Sequence, residues 1–256
     1  MQKIGLQIYT LRDQARGDLL ATIRKVAEAG YEGIEFDQGL RERIGSAELK
    51  THMQQVDIRV IGLTLTLPEL GAPLDPMIEY ALQTEAEWLV IPWITPDLWV
   101  STGGIETVGQ MLNKAGERIA KFGLRFTYHT HGYEFRMLQG RMAIEYLFEI
   151  LDPKFVELQV DTFWVASAGV DCAAFIETYL DWIGSFHIKD AYSFKPAVDT
   201  EVGRGNLDLQ EVVNLGVQGD VEWFIVEQEQ MNLPWEQSIQ ISEQNLRRMI
   251  RTAQRR

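Results

Sequence analysis

The sequence predicts an α/β protein that folds as a single (β/α)8 TIM barrel over residues 1–256. Two observations favour this fold. Short apolar runs alternate with longer amphipathic runs along the chain, and eight such pairs fit the usual length of this barrel. No linker or shift in composition marks a second domain. An open doubly wound sheet is the alternative, but "YTLRDQARGD" is not the glycine-rich first turn that such a sheet usually carries.

Eight strands are predicted because the short runs are rich in β-branched and aromatic residues. In chain order they read KIGLQIY, GIEF, VIGLTLT, EWLVIPW, RFTYHTH, VELQVD, SFHIKD and WFIVEQE. The helical patterns span residues 18–29, 46–56, 73–84, 105–122, 141–151, 171–179, 208–215 and 235–252. Gly30 and Gly123 follow two of these patterns as C-terminal stops, and "DLQE" at 208–211 is typical of a helix N-terminus.

Composition and charge narrow the function classes. The 256 residues are 46% hydrophobic and carry a net charge of −13, so the chain lacks the basic surface of a protein that binds nucleic acid or an anionic membrane. The single cysteine, Cys172, fits a reducing compartment. With no run of 18 apolar residues and no apolar signal segment, we expect a cytoplasmic protein. A homo-oligomer is compatible with the sequence, which indicates no particular interface.

Polar side chains alternate with apolar ones at the ends of the last four predicted strands. Successive strand residues point to opposite faces, so the apolar residues should meet the helices and the polar ones should point into the barrel. The polar residues are Thr127, His129 and His131, then Gln159 and Asp161, then His187 and Lys189, then Glu227 and Glu229. Because (β/α)8 barrels build active sites at the carboxyl ends of their strands, we expect the site here.

A divalent cation would offset the cost of gathering these groups, since burying an unpaired polar group costs several kcal/mol. The predicted ligands are Glu134, Asp161, His187 and Glu227. Three carboxylates and one imidazole favour Mn²⁺, with Mg²⁺, Co²⁺ and Zn²⁺ as alternatives. Simpler interpretations stay open: a core histidine for His187, a surface residue for Glu134 and a loop cap for Asp161.

The order "HTHGYEF", "DTFW", "HIKD", "VGRGNLD" and "VEQE" resembles the sugar phosphate isomerase/epimerase family, the xylose isomerase-like barrels. "GLQIYTLRD" and "AGYEGIEF" resemble that family's first two βα units, so the resemblance runs nearly end to end. It implies one divalent metal held by a Glu, an Asp, a His and a second Glu. By motif these are the four ligands already predicted. Arg204 departs from the family, in which an acidic or neutral residue is expected between the two glycines.

The resemblance implies an isomerase or epimerase that acts on a sugar, keto-sugar or sugar phosphate through an enediolate. Glu134 and Glu227, both bound to the metal, would serve as acid and base. If a hydroxyl leaves instead, the same site gives a dehydratase or lyase acting on a keto-polyol. A non-catalytic sugar-binding barrel is a further alternative. An AP endonuclease is disfavoured, because four histidines and a charge of −13 suit neither a zinc cluster nor DNA.

Six residues are predicted to contact substrate: Glu35, His129, His131, Trp164, Lys189 and Arg204. Glu35 and the two histidines would bind sugar hydroxyls, and Trp164 would offer an apolar face to a sugar ring. Lys189 has an alternative as a rim ion pair with Asp190. The "GRG" segment has an alternative as an anion cradle assisted by Arg204.

Overall fold

The computed structural model describes residues 2–255 and shows a closed barrel of eight parallel strands. The strands are β1 (Lys3–Gln7), β2 (Gly33–Phe36), β3 (Arg59–Thr64), β4 (Trp88–Ile91), β5 (Arg125–His129), β6 (Glu157–Asp161), β7 (Ile183–Ile188) and β8 (Trp223–Val226). They follow one another around the barrel in chain order, and β8 pairs with β1. The predicted TIM barrel is therefore confirmed. The predicted domain ends, Met1 and Arg256, lie outside the described residues.

Eight main helices pack around the strands. They are α1 (Leu19–Glu28), α2 (Ser46–Gln55), α3 (Asp75–Thr84), α4 (Thr102–Ala120), α5 (Ala143–Phe148), α6 (Cys172–Tyr179), α7 (Leu209–Gln218) and α8 (Trp235–Ala253). Gly30 and Gly123 follow α1 and α4 with φ of 102° and 77°, the left-handed region that favours glycine at a helix end. The Asp208 side chain caps α7, as "DLQE" predicted. Within residues 2–255, no helix is long and apolar enough to cross a bilayer.

Short helices, turns and hairpins follow the carboxyl ends of the strands. They are 3-10 turns at Ile8–Leu11, Pro96–Trp99 and Tyr133–Phe135, short helices at Gln38–Arg41, Leu67–Gly71 and Thr162–Ser167, and hairpins at Met137–Leu138/Arg141–Met142 and Asp190–Phe194/Ala197–Thr200. A 3-10 turn at Leu180–Trp182 leads into β7, and a short helix at Arg12–Gly17 precedes α1.

Two apolar layers follow the strand alternation. Phe224 and Val226 of β8 belong to the large core between strands and helices, whereas Trp223 and Ile225 lie inside the barrel. Trp88 meets Trp223 edge to face there, with 6.5 Å between ring centroids. Gly62 makes room for this pair, because a Cβ at that position would lie 2.4 Å from Trp88 Nε1. The packed interior forms the floor of the barrel mouth.

The amino ends of the strands carry paired charges. Arg59 contacts Glu87 at 2.6 Å, and Arg125 contacts Glu157 at 2.6 Å. Lys3 pairs with Glu222. Each of these three acids therefore has a basic partner.

Candidate metal centre and active site

Four side chains converge at the mouth, three from β5, β6 and β7 and one from the residue that directly follows β8. One ligand atom each from His129, Asp161, His187 and Glu227 lies within 4.8 Å of the others. The residues are 5%, 0%, 2% and 9% exposed, so these polar groups are almost fully removed from water. Such a cluster is costly unless its charges and hydrogen bonds are compensated.

Asp161 gives the clearest sign of a cation site. Its Oδ1 accepts hydrogen bonds from the backbone N–H groups of Phe163 (2.8 Å) and Trp164 (3.1 Å) and so caps the short helix Thr162–Ser167. Its Oδ2 is buried with no hydrogen-bond partner among the described residues. Burial raises the pKa of Asp161 above its usual range. An orphaned carboxylate oxygen beside two imidazoles and a second carboxylate fits a divalent cation.

His187 lies between two carboxylates. Its Nδ1 is 2.6 Å from Glu227 Oε2, and its Nε2 is 3.0 Å from Glu35 Oε1. Burial alone would lower the pKa of His187, but Glu35 and Glu227 outweigh it and raise the pKa to about 10. In the metal-free chain the ring therefore carries both protons and bridges the two acids.

Glu35 organises the ring of His187 from below. Its Oε1 accepts from Gln7 Nε2 at 2.7 Å, and its Oε2 accepts from Gln159 Nε2 at 2.8 Å and Trp88 Nε1 at 3.2 Å. With His187 as a further donor, this carboxylate is fully engaged. Glu35 was predicted to bind a sugar hydroxyl. In the structure its oxygens instead orient a neighbouring imidazole, as partners of metal-bound histidines commonly do.

The same network fixes the tautomer of His129. Gln159 Nε2 donates to Glu35, so Gln159 Oε1 is left as the acceptor for His129 Nδ1 at 3.0 Å. His129 Nδ1 therefore carries the proton, and its Nε2 is free to bind a cation. Burial and the neighbouring histidines hold the pKa of His129 well below its usual range, so the ring is neutral.

Glu227 forms an ion pair with Lys189. Their Oε1 and Nζ atoms lie 3.7 Å apart, and Lys189 Nζ also contacts Glu229 at 2.5 Å. Burial would raise the pKa of Glu227, but the positive charges of Lys189 and His187 outweigh it and lower the pKa below its usual range. Lys189 thus pairs with two glutamates at the mouth and not with Asp190, the alternative that the sequence left open.

Glu134, the predicted fourth ligand, does not lie in this cluster. The turn Tyr133–Phe135 directs its carboxylate to the outer side of β5, where it accepts from the Tyr128 hydroxyl and, at 3.0 Å, from His131 N. Tyr128 belongs to the core beneath the helices and stacks on Trp99. Burial raises the pKa of Glu134 to about 7. His129, which was predicted to bind substrate, takes the place in the ligand cluster that the sequence assigned to Glu134.

A model of the xylose isomerase-like TIM barrel family matches residues 23–251. The chain belongs to this family. The inosose dehydratase of Mesomycoplasma hyopneumoniae strain 7448 is 30% identical over 249 residues, covering 81% of this chain and 80% of the relative. This is a family of enzymes, and the predicted resemblance is confirmed.

Solved structures share the fold. A sugar phosphate isomerase/epimerase from Parabacteroides distasonis superimposes with a TM-score of 0.79 at 20% identity, covering 94% of each chain. The IolI protein with a bound zinc atom gives a TM-score of 0.78 at 15% identity, covering 98% of this chain and 99% of the other. At these identities the likeness concerns the barrel alone.

A cavity of about 580 Å³ opens over the cluster of this xylose isomerase-like barrel. Its lining includes three of the predicted substrate residues, Glu35, His129 and His131. His131 stacks on Tyr133 with 5.5 Å between centroids, and its buried Nδ1 has no partner in the described chain. Burial lowers the pKa of His131 to about 4, so the ring is neutral. His131 is therefore suited to hydrogen-bond a hydroxyl.

The other three predicted contacts lie outside the lining of the cavity. Trp164 packs against the His131 ring at 5.2 Å, and Lys189 lies over the Trp164 ring at 5.4 Å. Both residues therefore support the wall. Arg204 is half exposed and 3.8 Å from Glu201, so the structure does not bring it to the site.

The "GRG" segment does cradle an anion, but the anion is internal. The Asp190 carboxylate accepts from the backbone N–H groups of Gly203 and Gly205, each at 2.9 Å, and from Ala191 at 2.8 Å. A Cβ at Gly205 would lie 2.2 Å from Asp190 Oδ1, so the close approach requires glycine there. Arg204 takes no part in this cradle.

Sequence reasoning missed the supporting roles of Gln7 and Gln159. The alternation of "ELQVD" did place Gln159 inside the barrel, on the same face as Asp161. It gave no sign that Gln159 would join His129 to Glu35, since that residue is 124 positions away along the chain.

Proposed function

We propose that the protein is a divalent-metal-dependent enzyme that removes the proton next to the carbonyl of a polyhydroxy ketone. The observation that carries this proposal is the cluster of His129, Asp161, His187 and Glu227, whose ligand atoms lie within 4.8 Å while Asp161 Oδ2 has no partner in residues 2–255. The cluster faces a cavity large enough for a sugar-sized molecule.

The ligands would be His129 Nε2, Asp161 Oδ2, His187 Nδ1 and a carboxylate oxygen of Glu227. Two imidazoles and two carboxylates suit Mn²⁺, Co²⁺ or Zn²⁺ better than Mg²⁺, which prefers oxygen alone. When bound, the cation supplies Lewis-acid polarisation of the substrate carbonyl.

Glu227 is the proposed base. It lines the cavity, and its lowered pKa keeps it ionised at neutral pH. Removal of the proton from carbon gives an enediolate, while neutral His131 holds a substrate hydroxyl. Lys189 remains paired to Glu229 and keeps Glu227 oriented towards the cavity.

A single glutamate in the metal-ligand cluster favours chemistry on a single face of the substrate. Because Glu134 lies behind β5, a mechanism with two metal-bound glutamates loses one of them. Glu227 alone can take the proton and return it to a departing β-hydroxyl, which leaves as water, or to the neighbouring carbon. The first outcome is dehydration, and the inosose dehydratases among the relatives support it. The second is aldose–ketose isomerisation.

Proton abstraction can be tested independently of the final product. The metal-loaded protein is incubated in D₂O with an inosose and a panel of ketoses, and deuterium at the carbon next to the carbonyl is measured by mass spectrometry. We expect deuterium uptake or loss of water with one class of substrate, abolished by Glu227→Gln. Neither exchange nor water loss on any substrate would contradict the proposal.

Epimerisation is the second candidate. It requires a second acid–base group besides Glu227, and the neutral imidazole of His131 in the cavity lining, which can accept a proton, is the observation that favours it. Recovery of the substrate with deuterium and inverted configuration would distinguish epimerisation from dehydration.

A further inference from the structure

The cavity extends from the metal cluster to the loops that follow β2, β3 and β4. Asp37, Thr66 and Trp93 line this far side. Asp37 follows β2 directly and caps the short helix Gln38–Arg41, since its Oδ1 accepts from Leu40 N at 3.3 Å. Its Oδ2 is buried and has no hydrogen-bond partner in the described part of the chain. Asp37 therefore lines the far side of the cavity with one carboxylate oxygen that the helix cap does not use.

Backbone donors in two loops around the mouth are already used by the protein's own acids. The N–H of Thr66 donates to Glu69 Oε2 at 2.7 Å in a capping box. The loop after β7, a common phosphate site in TIM barrels, closes on the Asp190 carboxylate. A phosphate group would have to displace these internal carboxylates to reach the amides.

The charges of the lining also oppose an anion. Four carboxylates line the cavity, and within residues 2–255 its lining contains no lysine or arginine. They are Glu35, Asp37, Glu227 and Glu229. Lys189, behind the wall, is committed to Glu229 and Glu227. Negative carboxylates close to a bound phosphate would repel it and weaken its binding.

We propose that Asp37 is a specificity-determining residue that accepts a hydroxyl from the far end of an unphosphorylated polyhydroxy ketone and excludes the phosphate ester of the same sugar. This inference rests on the proposed function, because it concerns the substrate of that same cavity. It selects the free sugar from the sugars and sugar phosphates that the family resemblance leaves open.

Asp37→Asn tests the charge without removing the helix cap, since asparagine caps a helix N-terminus as well as aspartate does. Asp171→Asn is the matched control. Asp171 caps α6 through the same kind of bond, to Ala174 N at 3.0 Å, and lies outside the lining of the cavity. Both variants change the net charge by the same amount.

The experiment measures dissociation constants of metal-loaded protein for ketoses and for their terminal phosphate esters, by calorimetry. The wild type and the Asp171→Asn control should bind the free ketose at least about tenfold more tightly than its ester. Asp37→Asn should weaken ketose binding about tenfold and reduce the discrimination. A phosphate ester bound as tightly as its parent, or no binding of either series, would overturn the inference. Ketose binding without any deuterium exchange would contradict the proposed function alone.

Discussion

The two ends of this barrel differ in how they compensate their charged side chains. At the amino ends of the strands, Glu87 and Glu157 each contact an arginine at 2.6 Å. At the carboxyl ends, Asp161 keeps one oxygen without a partner in the described residues, although it is fully buried. The acids of these amino-end pairs have an arginine beside them, whereas the buried Asp161 carboxylate belongs to a group of four side chains that could hold a metal ion.

The comparison shows that an unpaired buried carboxylate, which lowers the stability of the fold, lies at the mouth of the barrel. An unsatisfied buried carboxylate lowers stability, so such a group persists where a ligand compensates for it. The apolar layer that contains Trp88 and Trp223 lies inside the barrel and separates the charged groups at its two ends. The predictions below test this division, from the largest expected effect to the smallest.

Glu227→Gln should lower turnover by about 10²–10⁴-fold, because the base is lost while the shape of the side chain is kept. The rate should be measured with metal titrated to saturation, since Glu227 is also a proposed ligand. Circular dichroism serves as the check on folding. Turnover near the wild-type value would remove Glu227 from its proposed role.

Glu35→Gln should weaken metal binding about 10–100-fold, because His187 would lose the carboxylate that orients its ring. Isothermal titration with Mn²⁺ or Zn²⁺ measures this directly. Unchanged affinity would mean that Glu35 does not act through His187.

Metal affinity should rise with pH and should be accompanied by proton release. In the metal-free chain the pKa of His187 is raised to about 10, so below that pH a ring proton must leave before Nδ1 can bind a cation. Between pH 7 and 9 we expect about one proton from His187 per metal, measured from the buffer dependence of the binding enthalpy. Affinity independent of pH would show that His187 is not a ligand.

Glu157→Gln at the amino end should leave turnover unchanged and cost no more than about 1 kcal/mol of unfolding free energy. The Arg125–Glu157 pair is one-third exposed, so water screens much of its attraction. Urea denaturation measures the loss. A large fall in turnover would mean that the two ends are coupled.

The sequence predicted the barrel well because strand alternation is a local property. The period of two placed Asp161, His187 and Glu227 on the inner face, and the structure brings these three together. Glu134 lies beyond β5 in a turn, where that period no longer holds, and its carboxylate turns to Tyr128.

Contacts across the barrel could not be predicted in this way. Glu35 and His187 are 152 positions apart, and neither local pattern indicates that they meet. His129 was placed inside the barrel correctly, but both the charge argument and the family motif assigned the ligand role to Glu134. The internal use of the "GRG" cradle by Asp190 likewise depends on how the loop closes.

The most direct test of the metal centre is the metal content of three purified proteins, measured by mass spectrometry and by titration with Mn²⁺, Co²⁺ and Zn²⁺. The wild type and Glu134→Gln should each bind about one ion per chain, and Asp161→Ala should bind none, because only Asp161 supplies an orphaned oxygen to the cluster. Loss of the metal in a folded Glu134→Gln variant, or no binding by the wild type, would contradict the site described here.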